Sequence, residues 1–439
     1  MRLPSDGLMI GQSLTMIIDH LRNAASGAWL RSGLLLTGLN LAAGGLGYVY
    51  QVLMGRLLTA ADFALFSAFM ALAVICSAPL NAFVLLLARR VSAFRAAEDL
   101  GRGRGLYGRV HVGMVLLGLV LAGLLVACHG PIQEYLKAPQ ALDLWLFGAA
   151  TFVGFLAAVN GGFLQGLQRF AWLGGLGITG VAAKIAASVA LIMACHAGVA
   201  GALGGVLAAA VLVWVCGGFV IMRSMPTGPI EPGGSAEPFP WRSLLPATVA
   251  NVALATLTQI DMVLVNRYFD TGPASQYAAA SILGKAVLYL PGGLVLALVP
   301  LVAEQHARRR DSRGVITQAA LATLAMCGTG AVFYALCGPW LVRLLYGPGY
   351  AEAGSLLAWY GFAVLPMALV VVAENFLLAQ GRTLFAWLFL VVGPIEVAII
   401  HAWHPDLWTV IAIVGACSTV LAVIGYAILW RAMRPAEGR

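Results

Sequence analysis

The sequence predicts an all-α membrane protein with about twelve transmembrane helices. Hydrophobic side chains make up 61% of the 439 residues and charged side chains only 10%, a balance unlike that of soluble globular domains. The apolar residues come in runs of about 20 or more, the length that a helix needs to cross roughly 30 Å of hydrocarbon. Residues 114–127 hold no polar position, which excludes the two-residue alternation of a β-barrel strand.

Twelve apolar stretches have the length and composition of spans. They are 33–55, 63–88, 108–128, 142–163, 171–194, 199–222, 244–266, 276–302, 315–338, 354–379, 383–402 and 407–430. Between the sixth and the seventh, residues 224–241 contain five prolines and three glycines, which is typical of an extended linker. The predicted organisation is a leader at 1–32, a first six-helix lobe at 33–223, a linker at 224–243, a second six-helix lobe at 244–430 and a tail at 431–439.

No cleavable signal peptide is predicted, because residues 1–31 are polar and mixed and the first apolar run already has spanning length. Within the leader, Leu14, Ile17, Ile18 and Leu21 share one helical face. This pattern indicates either a short helix on the inner leaflet or a frayed tail.

The distribution of basic residues predicts the orientation. With the N-terminus inside, the cytoplasmic segments carry 20 of the 26 Lys and Arg residues, so both termini and the linker are predicted to be cytoplasmic. The net charge of +8 therefore reflects loop bias, and no nucleic-acid partner is expected. The basic residues elsewhere are Arg56, Lys137, Arg267 and Arg343 on the opposite face and Lys184 and Lys285 within spans.

The two halves repeat one layout. Arg56 ends the first span and Arg267 the seventh, and an aromatic residue follows each by ten positions. Pro79 and Pro291 then fall inside the next span of each half. Duplicated six-span halves are typical of transporters that alternate access to a central site.

Charged residues at membrane depth are the candidate functional groups, since each costs about 2.5–3.5 kcal/mol on insertion scales and requires a partner or a wet cavity. Cationic groups can receive an anionic substrate while acids hold a coupling ion. The candidates are Lys285, Lys184, Arg56 and Arg267 for substrate binding, Asp261, Glu374 and Glu396 for ion coupling or charge modulation, and Arg89 and Arg90 for capture at the inner leaflet. Three alternatives stay open: charges that pair structurally, such as Asp261 with Lys285, interfacial anchoring by Arg56 and Arg267, and a purely topological role for the cytoplasmic arginines.

Motifs for catalysis are missing. No P-loop, GxSxG or HExxH pattern occurs, and the connections predicted outside are short, so we expect no enzymatic activity. The seven cysteines show no CxxC spacing, and neither a metal site nor a cofactor is expected.

Several segments resemble Wzx-type polysaccharide flippases. They are QVLMGRLLTAADFALFSAFM (51–70), GGFLQGLQRFA (161–171), LTQIDMVLVNRYF (257–269), SQYAAASILGKAVLYLPGGLVLALVPLVAE (275–304), RLLYGPGYAEAGSLL (343–357) and ENFLLAQGRT (374–383). Asp261 and Lys285 align with places that are commonly charged in the family, whereas Ala64 stands where the family favours glycine. Lys184 has no counterpart in the family's pattern.

This resemblance implies membership of the multidrug/oligosaccharidyl-lipid/polysaccharide (MOP) exporter superfamily, with a MATE-like fold in the bacterial inner membrane. The implied substrate is an undecaprenyl-pyrophosphate-linked oligosaccharide that is flipped for O-antigen, capsule or exopolysaccharide assembly. Implied partners are anionic membrane lipids, a polysaccharide polymerase and other assembly proteins. The alternatives are a MATE-like drug or cation antiporter and a membrane-embedded polysaccharide polymerase or ligase.

Overall fold

The computed structural model describes residues 28–225, 241–291, 313–379 and 384–432. Most of the predicted leader, linker and tail, and the second part of the eighth predicted span, lie outside the described residues. The described chain is entirely helical, which confirms the predicted fold class. Its α-helices are α1 (Ala28–Leu57), α2 (Ala60–Ala96), α3 (Leu100–Leu136), α4 (Ala141–Gly166), α5 (Phe170–Cys195), α6 (Gly198–Ser224), α7 (Trp241–Tyr268), α8 (Thr271–Lys285), α9 (Arg313–Tyr346), α10 (Ala351–Ala379), α11 (Leu384–Ala402) and α12 (Leu407–Ala432).

Nine of these helices, within the described ranges, are long and apolar enough to cross a membrane: α2 to α7, α9, α10 and α12. Helix α11 adds a shorter apolar segment, Trp387–Ala402. Helices α2 and α3 extend well beyond their predicted spans. At α2 the flanking Ala and Arg residues are good helix formers that continue the helix out of the apolar run.

The eighth predicted span departs most from a regular α-helix. Helix α8 ends at Lys285 and continues as a 3₁₀ helix over Ala286–Tyr289. Pro291 follows two residues later. Proline lacks the N–H that an α-helix needs and disfavours helical backbone at the residue before it, so the chain tightens ahead of it.

Close packing within each half relies on small residues. In the first half α1 packs on α5, α2 on α4, and α6 on both α4 and α5. In the second half α7 packs on α11, and α10 on α8, α9 and α12. Gly205 shows the constraint, since a Cβ there would lie 2.0 Å from Ser188 Oγ on α5. The missing side chain at Gly205 thus lets two helix backbones approach closely.

The connections between helices lie at two opposite faces. We call the face with connections 97–99 and 167–169 the arginine-rich face. The arginine-poor face carries connections 58–59, 137–140, 196–197, 269–270, 347–350 and 403–406. A long contact of α2 with α7 joins the two halves.

The hydrophobic core is divided in a way that distinguishes the two faces. The larger cluster contains residues of both halves, but the first half contributes only segments near the arginine-poor face, such as Met54, Phe63 and Val199. A second cluster around Phe83 and Phe163 fills the first half toward the arginine-rich face. The halves therefore share their apolar core mainly toward the arginine-poor face.

Candidate functional site

A buried ion pair lies inside the second half. Asp261 on α7 is 1% exposed, and its Oδ1 accepts a hydrogen bond of 3.0 Å from Lys285 Nζ at the end of α8. The hydroxyls of Tyr277 and Tyr360 donate to Oδ2 at 2.9 and 2.6 Å, and Ser281 donates to the Tyr360 hydroxyl at 3.2 Å. Three donors thus satisfy one carboxylate, which offsets the cost of burying it.

The local sequence explains how this cluster forms. Tyr277, Ser281 and Lys285 are spaced by four residues along α8, so they lie on one side of that helix. Tyr360 reaches them from α10 because Gly284 has no side chain, and a Cβ there would lie 2.4 Å from the Tyr360 ring. The pairing of Asp261 with Lys285 that the sequence left open is therefore present.

Glu396 lies beside this cluster without a hydrogen-bond partner. It is on α11 and 0% exposed, and neither carboxylate oxygen has a partner among the described residues. It is close enough to Asp261, Lys285 and Cys417 to interact electrostatically with each. An ionised carboxylate in this position is poorly compensated, so a proton or a cation would stabilise it. Glu374 is also buried, in α10.

Lys184 occupies a different environment in the first half. It lies near the middle of α5, is half-buried, and places Nζ 4.2 Å from the centre of the Tyr50 ring on α1. The Tyr50 hydroxyl is within hydrogen-bonding distance of Ser188 Oγ (3.2 Å) and donates to Ala202 O at 3.3 Å. No carboxylate in the described chain pairs with Lys184. A cation–π contact leaves ammonium protons free for another acceptor.

Arg56 and Arg267 lie at the arginine-poor face, where the halves meet. Arg56 donates from Nε and Nη2 to the carbonyls of Leu345 and Leu344 on α9. Arg267 donates to Glu134 O on α3 at 3.2 Å. Both guanidinium groups therefore bind the backbone of the opposite half, and substrate contact by either stays a prediction.

The candidate capture residues Arg89 and Arg90 lie near the arginine-rich end of α2, where Arg89 is exposed and Arg90 half-buried. The same face holds a cavity of about 290 Å³. Its lining residues are Arg95, Leu100, Leu167, Gln168, Arg169 and Ser224. Two guanidinium groups beside an amide and a hydroxyl suit a phosphate group.

The tyrosines of both clusters were not among the residues predicted from the sequence. Tyr277 and Tyr360 bind Asp261, and Tyr50 lies under Lys184. A tyrosine inside an apolar span carries a hydroxyl that needs a hydrogen-bond partner, and this need could have marked these tyrosines in the sequence as candidates. The sequence does not specify which charged group that partner is.

No protein-family model matches the chain, and no curated protein matches it in sequence. Solved structures do match. One described as the inward-facing conformation of a multidrug resistance MATE family transporter of the MOP superfamily has a TM-score of 0.73 at 13% identity, over 89% of this chain and 94% of that chain. The Lipid II flippase MurJ in an inward closed conformation has a TM-score of 0.70 at 16% identity, over 91% and 87%.

The chain has a MATE- and MurJ-like fold. The Vibrio cholerae MATE transporter VcmN in the bent form also matches, with a TM-score of 0.57 at 13% identity over 92% of this chain and 98% of that one. These neighbours are described as transporters and a flippase, and this chain shares their fold. At these identities the likeness extends to the fold and not to the substrate.

Proposed function

We propose that the protein is a flippase that moves an undecaprenyl-pyrophosphate-linked oligosaccharide from the inner to the outer leaflet of the bacterial inner membrane, for surface polysaccharide synthesis. The observation that carries this proposal is Lys184, an ammonium group in the middle of a spanning helix with no carboxylate partner among the described residues. A cation kept at that depth suits an anionic cargo. The MurJ-like fold is consistent with a lipid-linked one.

The charges argue against a cation antiporter of the same fold. Such a transporter requires an acidic site for its cargo, and α1 contains no acid. In the second half, Asp261 is already paired with Lys285, and Glu396 is the remaining acid of that cluster, which this proposal assigns to the coupling ion. The first half offers a cargo Lys184 and its tyrosine, a cationic rather than an acidic environment.

Lys184 is the principal pyrophosphate contact in this proposal. Lys285 serves the substrate only in a conformation in which Asp261 releases it, because Nζ is enclosed with that carboxylate in the present one. Arg56 and Arg267 would have to exchange their carbonyl partners for substrate oxygens. Charge-assisted hydrogen bonds from such groups recognise phosphate well.

The orientation in this proposal places the arginine-rich face in the cytoplasm. Arg89 and Arg90, together with the cavity lined by Arg95 and Arg169, then lie where anionic lipid headgroups and the pyrophosphate of a newly made lipid-linked oligosaccharide are found. The shared core toward the opposite face supports a conformation that is closed to the outside. The cargo enters from the inner leaflet and leaves when the halves rock.

Asp261, Glu374 and Glu396 are the proposed coupling groups. Glu396 is the best supported, because its buried carboxylate has no hydrogen-bond partner in the described chain and would take up a proton or a sodium ion. Asp261 and Lys285 lie close enough to interact electrostatically with the Glu396 carboxylate.

The test is Lys184→Met, which keeps the apolar stem and removes the charge, with Lys184→Arg as the charge-conserving control. In a strain that lacks the chromosomal copy, we expect the Met variant to export at least tenfold less surface polysaccharide and to accumulate lipid-linked repeat units, and the Arg variant to retain part of the export. Insertion of each variant is measured in membrane fractions. Normal export by a well-inserted Lys184→Met protein would refute the proposed substrate contact.

The alternatives are separated with purified protein in proteoliposomes. Movement of a polyprenyl-pyrophosphoryl oligosaccharide between leaflets supports a flippase. Efflux of cationic dyes without lipid movement supports the drug or cation antiporter instead. Elongation or transfer of the glycan would identify a polymerase or ligase.

A further inference from the structure

The arginines that end the first helix of each half make the same contact with the opposite half. Arg56 ends α1 and donates to the carbonyls of Leu344 and Leu345 in the last turn of α9. Arg267 ends α7 and donates to Glu134 O in the last turn of α3, with its guanidinium 5.3 Å from the Tyr135 ring centre. Helices α1 and α7 are the first helices of the two halves, and α3 and α9 are the third. The contact is therefore reciprocal and follows the internal repeat.

The two accepting helices end in a way that leaves carbonyl groups available. Lys137 follows α3 with φ 56°, and Gly347 follows α9 with φ 98°, so the backbone turns away at both ends. The last carbonyls of a helix have no intrahelical donor and carry the negative end of the helix dipole. Arg56 supplies donors to Leu344 O and Leu345 O. Glu134 O already accepts a 3.2 Å hydrogen bond from Lys137 N–H, and Arg267 is its second donor. Both guanidinium groups bring the charge opposite to that of the helix end.

Further contacts close the same face. Lys137 Nζ donates to Phe269 O at 2.9 Å, Asn266 Nδ2 to Leu136 O at 2.7 Å, and the Tyr350 hydroxyl to Gly55 O at 3.1 Å. Together with the arginine contacts, six hydrogen bonds between described residues join the halves at the arginine-poor face.

Aromatic packing supports these hydrogen bonds. Phe63 of the first half packs against Tyr346 and Tyr350 of the second, with ring centres 5.7 and 5.9 Å apart. The Tyr346 ring lies against Gly55, where a Cβ would come within 2.4 Å of it. The carbonyls are thus bound at the edge of a packed interface between the halves.

We propose that Arg56 and Arg267 form a paired latch that holds the arginine-poor face closed and has to release for that face to open. Both sets of hydrogen bonds are exposed at the surface of the chain, so each guanidinium group can exchange its carbonyl partners for solvent at modest cost, which makes the latch reversible. This inference rests on the rocking motion of the proposed function and gives the two arginines, in the closed state, a role in the conformational equilibrium.

The test measures the distance between the halves at this face. Gln140 and Pro405 are exposed in connections of the first and second half, and cysteines placed there in a variant without native cysteines carry spin labels. Pulsed electron paramagnetic resonance in lipid nanodiscs, without substrate, gives the ratio of the long-distance to the short-distance population. Arg56→Ala with Arg267→Ala should raise this ratio about tenfold.

Two further variants make the result specific. The pair Arg56→Lys and Arg267→Lys should raise the ratio less, because lysine keeps the charge. It should still raise it, because lysine lacks the fork with which Arg56 reaches two carbonyls. Arg343→Ala is the matched control, since this exposed arginine ends α9 at the same face and has no described contact with the first half. If the alanine pair does not fold, the lysine pair decides.

An unchanged distance distribution in the folded arginine variants would overturn the latch, and so would an equal shift in Arg343→Ala. The distances are measured without cargo, so failure of the proposed function is distinguishable. A wild-type protein that moves no lipid-linked oligosaccharide would contradict the flippase proposal while the distances still decide the latch.

Discussion

Replacing Lys285 by methionine tests whether the buried ion pair stabilises the second half. The change leaves the Asp261 carboxylate, which is 1% exposed, without its cation. Breaking a buried ion pair by removing one partner costs about 3–5 kcal/mol. Because Tyr277 and Tyr360 still donate to Oδ2, the lower end of this range, about 3 kcal/mol, is expected.

The assay is thermal unfolding in detergent, followed by the loss of monodisperse protein. For a unit the size of one six-helix lobe, 1 kcal/mol corresponds to a shift in Tm of about 2–4 °C, so Lys285→Met should lower Tm by about 6–12 °C. Adding Asp261→Asn removes the unpaired charge and should recover part of the loss, with a coupling energy of about 2 kcal/mol in the double-mutant cycle.

Lys184→Met is the matched control, because it is the same substitution in a spanning helix without an ion pair. Its loss of a cation–π contact is worth about 0.5–2 kcal/mol and is offset by no longer burying a charge. If Lys285→Met lowers Tm no more than Lys184→Met does, or if the Asp261 and Lys285 substitutions are additive, the structural role of the pair is refuted.

Two other predictions concern the acidic and basic groups. Glu396→Gln removes a buried carboxylate that has no hydrogen-bond partner among the described residues. It should therefore raise Tm by a few degrees and remove the dependence of transport on a proton or sodium gradient. A lower Tm with unchanged coupling would contradict both expectations. Arg95→Ala with Arg169→Ala should raise the KM for lipid-linked substrate several-fold with little change in kcat, measured in proteoliposomes with and without anionic lipid, because these residues line the cavity at the arginine-rich face. An unchanged KM would remove that cavity from substrate capture.

Of the twelve spans that the sequence predicted, nine are helices long and apolar enough to cross a membrane within the described residues, because the bilayer sets the apolar length and this length is visible in the sequence. The sequence also placed Asp261, Lys285 and Glu396 at membrane depth, since charged residues stand out there. Their partners were not predictable to the same degree. Whether Lys285 contacts Asp261 or faces a cavity depends on how α8 is rotated about its axis relative to α7. The sequence of α8 does not show this rotation, because the helix is buried over most of its length and has no distinct polar face.

The contacts of Arg56 and Arg267 show a second limit. Their acceptors are backbone carbonyls of Leu344, Leu345 and Glu134, and every helix end offers such groups whatever its side chains. The selection of these helix ends comes from the meeting of the two halves, a tertiary contact that sequence spacing does not show. The repeat in the sequence did predict that the two arginines would be equivalent, and their contacts are.

The distribution of charge between the halves bears on how transport would be coupled. Lys184 brings one positive charge to the middle of α5, and Asp261, Lys285 and Glu396 in their ionised forms leave one net negative charge in their cluster of the second half. Moving either uncompensated charge through a closed, dry intermediate is costly. In the proposed mechanism an anionic cargo neutralises Lys184 and a proton or cation neutralises Glu396. The free-energy barrier to rocking is therefore lowest when both sites are occupied. A cargo without negative charge would leave Lys184 uncompensated and should be moved more slowly.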